Sequence, residues 1–132
     1  IIQGRQLGDN ARAAVITRGV AEIARLGAAQ GAHPTTIMGL SGLGDLTLTC
    51  NALQSRNFSL GVALGEGRSL NDILSSRRSI AEGVTSAESV VALAQSLNVE
   101  MPICTAVNHI VIKGDSIDET IAGLLSRPFR AE

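Results

Sequence analysis

Apolar residues return at three- and four-residue intervals along most of this chain. They do so at Ile16, Val20, Ile23 and Gly27, at Ala87, Val90, Val91, Ala94 and Leu97, at Ile103, Ala106, Val107 and Ile110, and at Ile121, Leu124 and Leu125. That spacing places one side of a helix against a core. Start and stop residues frame the same segments. Asp9 or Asn10 can cap the first helix, with Leu26-Gly27 as its stop, and Pro34 with Thr35 and Thr36 starts a short turn that Gly39 ends. Phe58, Leu60, Val62, Ala63 and Leu64 mark a helix from Ser55 to the Gly65-Glu66-Gly67 stop, and Ser69 with Asp72 opens a brief one through Leu74. Thr85 with Glu88 gives the clearest capping pair of the chain. Pro102 predicts a first helical turn, Gly114 a stop, Ser116 with Glu119 a third capping pair, and Pro128 a forced end.

Leu46-Thr47-Leu48-Thr49 is ambiguous, because its alternation suits a strand while Asp45 ahead of it suits a helix cap. A lone strand would leave its backbone donors unpaired, so a helix is predicted. The result is a compact multi-helix, all-α domain spanning residues 1–132, with no repeat, low-complexity tract or linker to divide it. Ile1 to Leu7 has no start signal and reads as part of something longer.

Composition narrows the core. Hydrophobic residues make up 45 %, yet Phe58 and Phe129 are the only aromatics, so Leu, Ile, Val and Ala must fill the interior. Eleven basic against twelve acidic side chains give a net charge of −1, which provides no broad field for nucleic acid or an anionic membrane. No apolar run approaches the length of a bilayer span, and the N-terminus lacks a signal-peptide pattern, so a cytoplasmic location is expected. Cys50 and Cys104 are too few for a disulfide framework and form no ligand spacing with His33 and His109; reduced, buried thiols and no metal site are expected.

Chemistry concentrates in Gly39-Leu40-Ser41-Gly42-Leu43-Gly44-Asp45-Leu46-Thr47-Leu48-Thr49-Cys50 and in Gln54-Ser55-Arg56-Asn57. Glycines let backbone N–H groups approach an anion, Arg56 can grip a phosphate through paired donors, and Asp45 can accept from hydroxyls. Each has a plainer alternative: Asp45 as a helix cap, Arg56 and Asn57 as a solvated surface pair, and Thr49, one turn after Asp45, as a hydroxyl bonded back to its own helix. Glu82 beside Gly83 is either a ligand contact or an exposed acid in a loop. Arg77 and Arg78 read as solvated, and the histidines as structural or surface groups. Gly42-Leu43-Gly44 and Gly65-Glu66-Gly67 follow no strand of a βαβ unit and are not dinucleotide fingerprints.

The Gly-Leu-Gly-Asp-Leu segment running into Thr49-Cys50 and Ser55-Arg56-Asn57 resembles the substrate domain of NAD(P)-dependent glycerol-3-phosphate dehydrogenases. Leu7 to Ala14, Ile16-Thr17-Arg18-Gly19, Ala81-Glu82-Gly83-Val84 and Glu100-Met101-Pro102-Ile103 are similar to further landmarks of that family, in the same order. The resemblance implies the all-α C-terminal fold shared with 6-phosphogluconate dehydrogenases. It also implies a part in interconverting sn-glycerol 3-phosphate and dihydroxyacetone phosphate on the route to glycerophospholipids. It makes Asp45 the substrate-contacting acid with Thr49 beside it, and Ser55, Arg56 and Asn57 the substrate-binding triplet. Arg56, Ile80 and Glu82 fall on the cofactor side.

NAD or NADP would be held mostly by a preceding dinucleotide-binding domain, to which nothing in this sequence corresponds. The family's base lysine would lie upstream of Ile1, and Lys113, the single lysine, stands in a different motif. The chain alone is then expected to be inactive, and a homodimer is a reasonable expectation for the whole protein. A non-catalytic helical binding or dimerisation module of the same fold is the alternative.

Overall fold

The computed structural model describes residues 1–76 and 81–127, and among them every regular element is helical. In chain order these are α1 (Gly8–Ala29), α2 (Pro34–Ile37), α3 (Asp45–Thr49), α4 (Arg56–Gly65), α5 (Leu70–Ser76), α6 (Ala81–Ser96), α7 (Pro102–Asn108) and α8 (Ile117–Leu125). π-helical turns fill Leu40–Gly44 before α3 and His109–Lys113 after α7. The all-α expectation holds, including the helical choice for residues 45–49.

Ser69 and Ser116 cap as their positions suggested, and Ser55, read only as the start of its helix, caps as well. Ser55 Oγ accepts from Phe58 N–H at 3.2 Å, and Ser116 Oγ accepts from Glu119 N–H at 3.4 Å. Ser69 Oγ accepts from Asp72 N–H at 3.1 Å and donates to its carboxylate at 2.6 Å.

Other boundaries move. Neither Asp9 nor Asn10 caps α1, which begins at Gly8 behind an N-terminal Leu7 that makes no side-chain cap bond; Asp9 instead pairs with Arg12 at 2.8 Å. Gly27 does not stop the helix. It packs against Ala32 and Ile37, whose side-chain atoms lie 3.4 Å from where a Cβ would stand. Thr85, expected to open a helix, lies inside α6, which begins four residues earlier at Ala81; its carbonyl accepts from the Ser89 hydroxyl at 3.1 Å. α5 runs past Leu74 to Ser76, and α8 ends at Leu125. Pro128, the expected terminator, lies outside the described residues.

α7 sits centrally, packed by α1, α6 and α8. The main core joins Leu60, Ala63 and Leu64 of α4, Ile73 of α5 and Val111 of the second π-turn, flanked by Val84, Ala87, Val107 and Ile117. Val20, Val91, Ala94, Met101 and Ala106 are buried elsewhere along α1, α6 and α7. Small aliphatic side chains do suffice here for close helix packing. The predicted stripes overshoot, however, since Ile23, Leu97 and Leu125 are exposed while Glu22, next to Ile23, is 1 % exposed.

Glu22 is buried because α7 needs it. Met101 at the N-cap of α7 makes no side-chain cap bond, and Pro102 removes only one of the orphan donors at that end. The Glu22 carboxylate, arriving from α1, accepts from Ile103 N–H at 2.6 Å and Cys104 N–H at 3.1 Å. One turn on, Arg25 donates through Nε and Nη2 to the Glu100 carbonyl at 3.2 and 3.1 Å. Burial first, and then the neighbouring Glu22 charge and hydrogen bond, push the Cys104 thiol up to about 12. Cys50 is likewise raised by burial. Both are half-buried protonated thiols without a disulfide.

The Ile1–Leu7 segment turns back on α4. An alanine methyl at Gly65 would overlap the Ile1 carbonyl, and one at Gly61 would stand 2.7 Å from the Ile1 nitrogen, so two glycines one turn apart seat this backbone directly on the helix. Arg5 then reaches α8, donating to Asp118 at 3.0 Å.

Candidate functional site

The glycine-rich block is a π-turn that delivers Asp45 to the start of α3. Gly42 is required in it: a Cβ there would run into the Ile37 carbonyl. Asp45 follows as the first residue of α3 and is exposed, with Gly44 in the N-cap position, so Asp45 is not the cap of this helix. Its carboxylate nonetheless lies in the first turn, where negative charge complements the helix dipole. Thr49, half-buried, stands one turn on and shares the Asp45 side of the helix. Leu46 points the other way, toward Gly19 of α1.

Arg56 and Asn57 are the first two residues of α4, both exposed, directly after the Ser55 cap. The Ser55 oxygen serves Phe58 N–H, and the first N–H groups of a helix have no intrahelical acceptor. Arg56, Asn57 and a positive dipole end thus share one helix terminus, residue types suited to a phosphate.

The Asn57 amide lies against Gly83, so closely that an alanine methyl at Gly83 would overlap its oxygen. Gly83 is the third residue of α6. This contact brings the N-terminal ends of two helices together, and with them two segments that the sequence had connected only by resemblance: Ser55-Arg56-Asn57 and Ala81-Glu82-Gly83-Val84. Glu82 lies in the first turn of α6 rather than in a loop. Its side chain, and Ile80, Arg77 and Arg78 entirely, fall outside the described residues.

The histidines stand apart from these groups. His33 Nδ1 is 2.8 Å from Thr35 Oγ1 at the start of α2. His109 bridges Asp115, 3.1 Å from Nδ1, and Lys113, whose Nζ is 3.0 Å from Nε2. A proton on Nδ1 satisfies all three, with Lys113 donating to Nε2, and the network closes the second π-turn onto Gly114. A cavity of about 640 Å³ opens between the α6–α7 connection, α7 and α8, lined by Met101, Thr105, His109, Asp115 and Arg127 among others. Asp45, Thr49, Ser55, Arg56 and Asn57 do not line it.

Sequence reasoning missed two working residues. Gly83 was noticed only as a neighbour of Glu82, and nothing local indicates that Asn57 rests on it. For Glu22 a signal existed: α7 opens with Met101-Pro102 and carries no capping side chain of its own, so its acceptor had to come from elsewhere.

An all-helical domain that presents arginine, amide and carboxylate at helix N-termini belongs to the class of domains suited to anionic, hydroxylated ligands. The comparisons are more specific. A family profile described as NAD-dependent glycerol-3-phosphate dehydrogenase C-terminus matches residues 1–122. A Parvibaculum lavamentivorans glycerol-3-phosphate dehydrogenase named for NAD(P)+ is 57 % identical over 132 residues, all of this chain and 40 % of that protein. Its Rhodospirillum rubrum counterpart is 59 % identical over 133 aligned positions, all of this chain and 38 % of that protein. The crystal structure of glycerol-3-phosphate dehydrogenase from Coxiella burnetii superposes with a TM-score of 0.90 at 41 % identity, over 96 % of this chain and 39 % of that one. The chain belongs to the NAD-dependent glycerol-3-phosphate dehydrogenase family and matches its C-terminal part. It spans about 40 % of the length of these relatives. Among the described residues no helix is long and apolar enough to cross a membrane.

Proposed function

We propose that this chain is the substrate-binding part of an enzyme interconverting sn-glycerol 3-phosphate and dihydroxyacetone phosphate. The observation that carries the proposal is the seating of Asn57 on Gly83, which sets Arg56 and the α4 N-terminus beside the α6 N-terminus. Two positive dipole ends and a guanidinium suit the dianionic phosphate of a three-carbon ester. Asp45, with Thr49 one turn on, accepts from the substrate hydroxyls.

NAD(P), the cofactor in the relatives' name, exchanges the hydride when bound. Among the described residues there is no strand, and so no βαβ turn to cradle a dinucleotide. Its principal site therefore belongs to the preceding part of the longer protein, with Arg56, Ile80 and Glu82 at its edge, and the acid–base lysine comes from that part too. The whole protein is a cytoplasmic homodimer that feeds glycerophospholipid synthesis.

The test joins this chain to the upstream part of the Parvibaculum relative and follows oxidation of reduced NAD or NADP by dihydroxyacetone phosphate. Arg56→Ala is expected to raise KM by roughly 100-fold or more, the loss of about 3 kcal/mol from a charge-assisted pair. Asp45→Asn is expected to depress kcat/KM. An Arg56→Ala enzyme with an unchanged KM refutes the phosphate assignment.

A further inference from the structure

α3 has five residues, too few to hold a helix without support from its surroundings. Its place in the domain is therefore set by what it rests on. Asp45, Thr47 and Leu48 are exposed, and the one large apolar side chain that α3 turns inward is Leu46, whose Cδ2 lies 3.9 Å from where a Cβ of Gly19 would stand. Gly19 sits in the interior of α1, where glycine is a poor choice for helix stability and a good one for close approach. The unit ahead of α3 rests on the same helix. Ile37 of α2 packs at Gly27, and its carbonyl receives Gly42 so closely that a Cβ there would overlap it. Gly19 and Gly27 are eight residues apart, about 12 Å along α1. The run from Ile37 to Leu46 therefore spans α1 between two glycines, and Asp45 stands directly before the second contact.

We infer that Gly19 is a positioning residue for the reaction: the bare stretch of α1 at this glycine seats Leu46, and the depth of that seat sets where Asp45 meets the substrate. The inference rests on the role given to Asp45 above and adds the element that aims it. In a helix this short, Leu46 cannot be pushed out of its seat without carrying its neighbour Asp45 along. A side chain longer than a methyl at position 19 enters the space of the Leu46 isobutyl group. A displacement of about 1 Å at a reacting group can cost roughly 100-fold in rate. The phosphate end of the site has a different support, because Arg56 and Asn57 belong to α4 and Asn57 rests on Gly83.

The experiment compares Gly19→Leu, Leu46→Ala and the two together in the joined protein described above. Each single change is expected to lower kcat ~10-fold or more, the first by forcing α3 outward and the second by leaving it unanchored. The pair returns a leucine to the seam from the opposite helix and is expected to recover kcat to within ~3-fold of the parent, the signature of two residues in contact. Inorganic phosphate, a competitive inhibitor that reads only the anion-binding end, should keep its inhibition constant within ~2-fold in all three variants. A kcat that ignores both single changes overturns the inference, as does a pair no faster than the slower single. A phosphate constant that weakens alongside kcat overturns it as well, because it reports general loosening in place of a misaimed acid. Backbone amide exchange supplies a readout that needs no turnover and no Gly19 variant. Peptides covering residues 45–51 should lose protection in Leu46→Ala while those of α7 keep theirs, and unchanged exchange at 45–51 removes the seat. A joined protein with this exchange pattern that does not reduce dihydroxyacetone phosphate sinks the proposed function and leaves the seat standing; an active one in which neither kcat nor exchange responds does the reverse.

Discussion

Replacing Glu22 strips the N-terminus of α7 of its acceptor. The carboxylate is 1 % exposed and takes two backbone N–H groups, from Ile103 and Cys104, at 2.6 and 3.1 Å. Hydrogen bonds to a charged acceptor contribute about 1.5–3 kcal/mol each, and a buried donor left without a partner costs a similar amount. Glu22→Gln keeps one acceptor and turns an NH₂ toward the second N–H, so it should cost ~2 kcal/mol. Glu22→Ala loses both bonds and leaves a cavity, which raises the expected cost to about 3–5 kcal/mol, a large fraction of the stability of a marginal domain. Glu22→Leu separates the causes, because it restores volume but no acceptor, and should remain about as damaging as Ala if capping dominates.

With neither tryptophan nor tyrosine in the chain, urea unfolding followed by far-UV circular dichroism is the suitable assay. A lower midpoint at constant slope reports the loss directly. A Gln variant within ~0.5 kcal/mol of the parent would refute the capping argument, and a Leu variant near wild type would show that filling space is what matters at this position. The same substitution has a second readout. Glu22 is a lesser cause of the raised Cys104 pKa, behind burial. Glu22→Gln should therefore lower that pKa without returning it to the ordinary value of 9.0, as seen in the pH dependence of thiol alkylation.

Stability should also fall at high pH. A thiol whose folded pKa is raised holds its proton longer in the native state, so its contribution is complete below pH 9.0 and drains away as the pH climbs toward about 12. Cys104→Ala should flatten that decline in denaturant midpoints measured across the range, and an unchanged slope would contradict it. At Gly83, alanine adds a methyl where the Asn57 amide rests. The obstructing atom ends a flexible, exposed side chain, so stability should change by less than ~1 kcal/mol, helped by the better helix propensity of alanine. KM for dihydroxyacetone phosphate in the joined enzyme should nonetheless rise by roughly tenfold, the effect of about 1.4 kcal/mol; an unchanged KM would show that the Asn57–Gly83 contact does not position the substrate groups.

The fold was legible wherever the signal was local. Serine caps at Ser55, Ser69 and Ser116 fix helix starts through bonds spanning three residues; the pairs at Ser69 and Ser116 stand as the sequence suggests, and Ser55 caps the helix whose start it marked. The Thr85 pair has the same pattern and fails, because tertiary packing of Val84 and Ala87 against the α4–α5 core draws the preceding turn into α6. Glu22 shows the same limit on a larger scale. A periodicity argument assigns each helix side by its apolar residues and placed Ile23 inward, whereas the uncapped end of α7 recruits a carboxylate from a residue 81 positions away. Propensity and spacing describe one helix at a time; the demand for an acceptor at α7 is a property of two helices together.

The site divides along the same line. Chemical identity was readable, since glycine, carboxylate, guanidinium and amide keep their chemistry in any fold, and the helical state of residues 45–49 then puts Asp45 and Thr49 on one side by geometry alone. Juxtaposition was not. Segments 55–57 and 81–84 are separated by α5 and meet because Gly83 lacks a side chain exactly where Asn57 needs room, a complementarity that neither segment encodes alone. Glu22 looks at first like a failure of the rule that charges stay outside. For Glu22 the missing half of the explanation is α7.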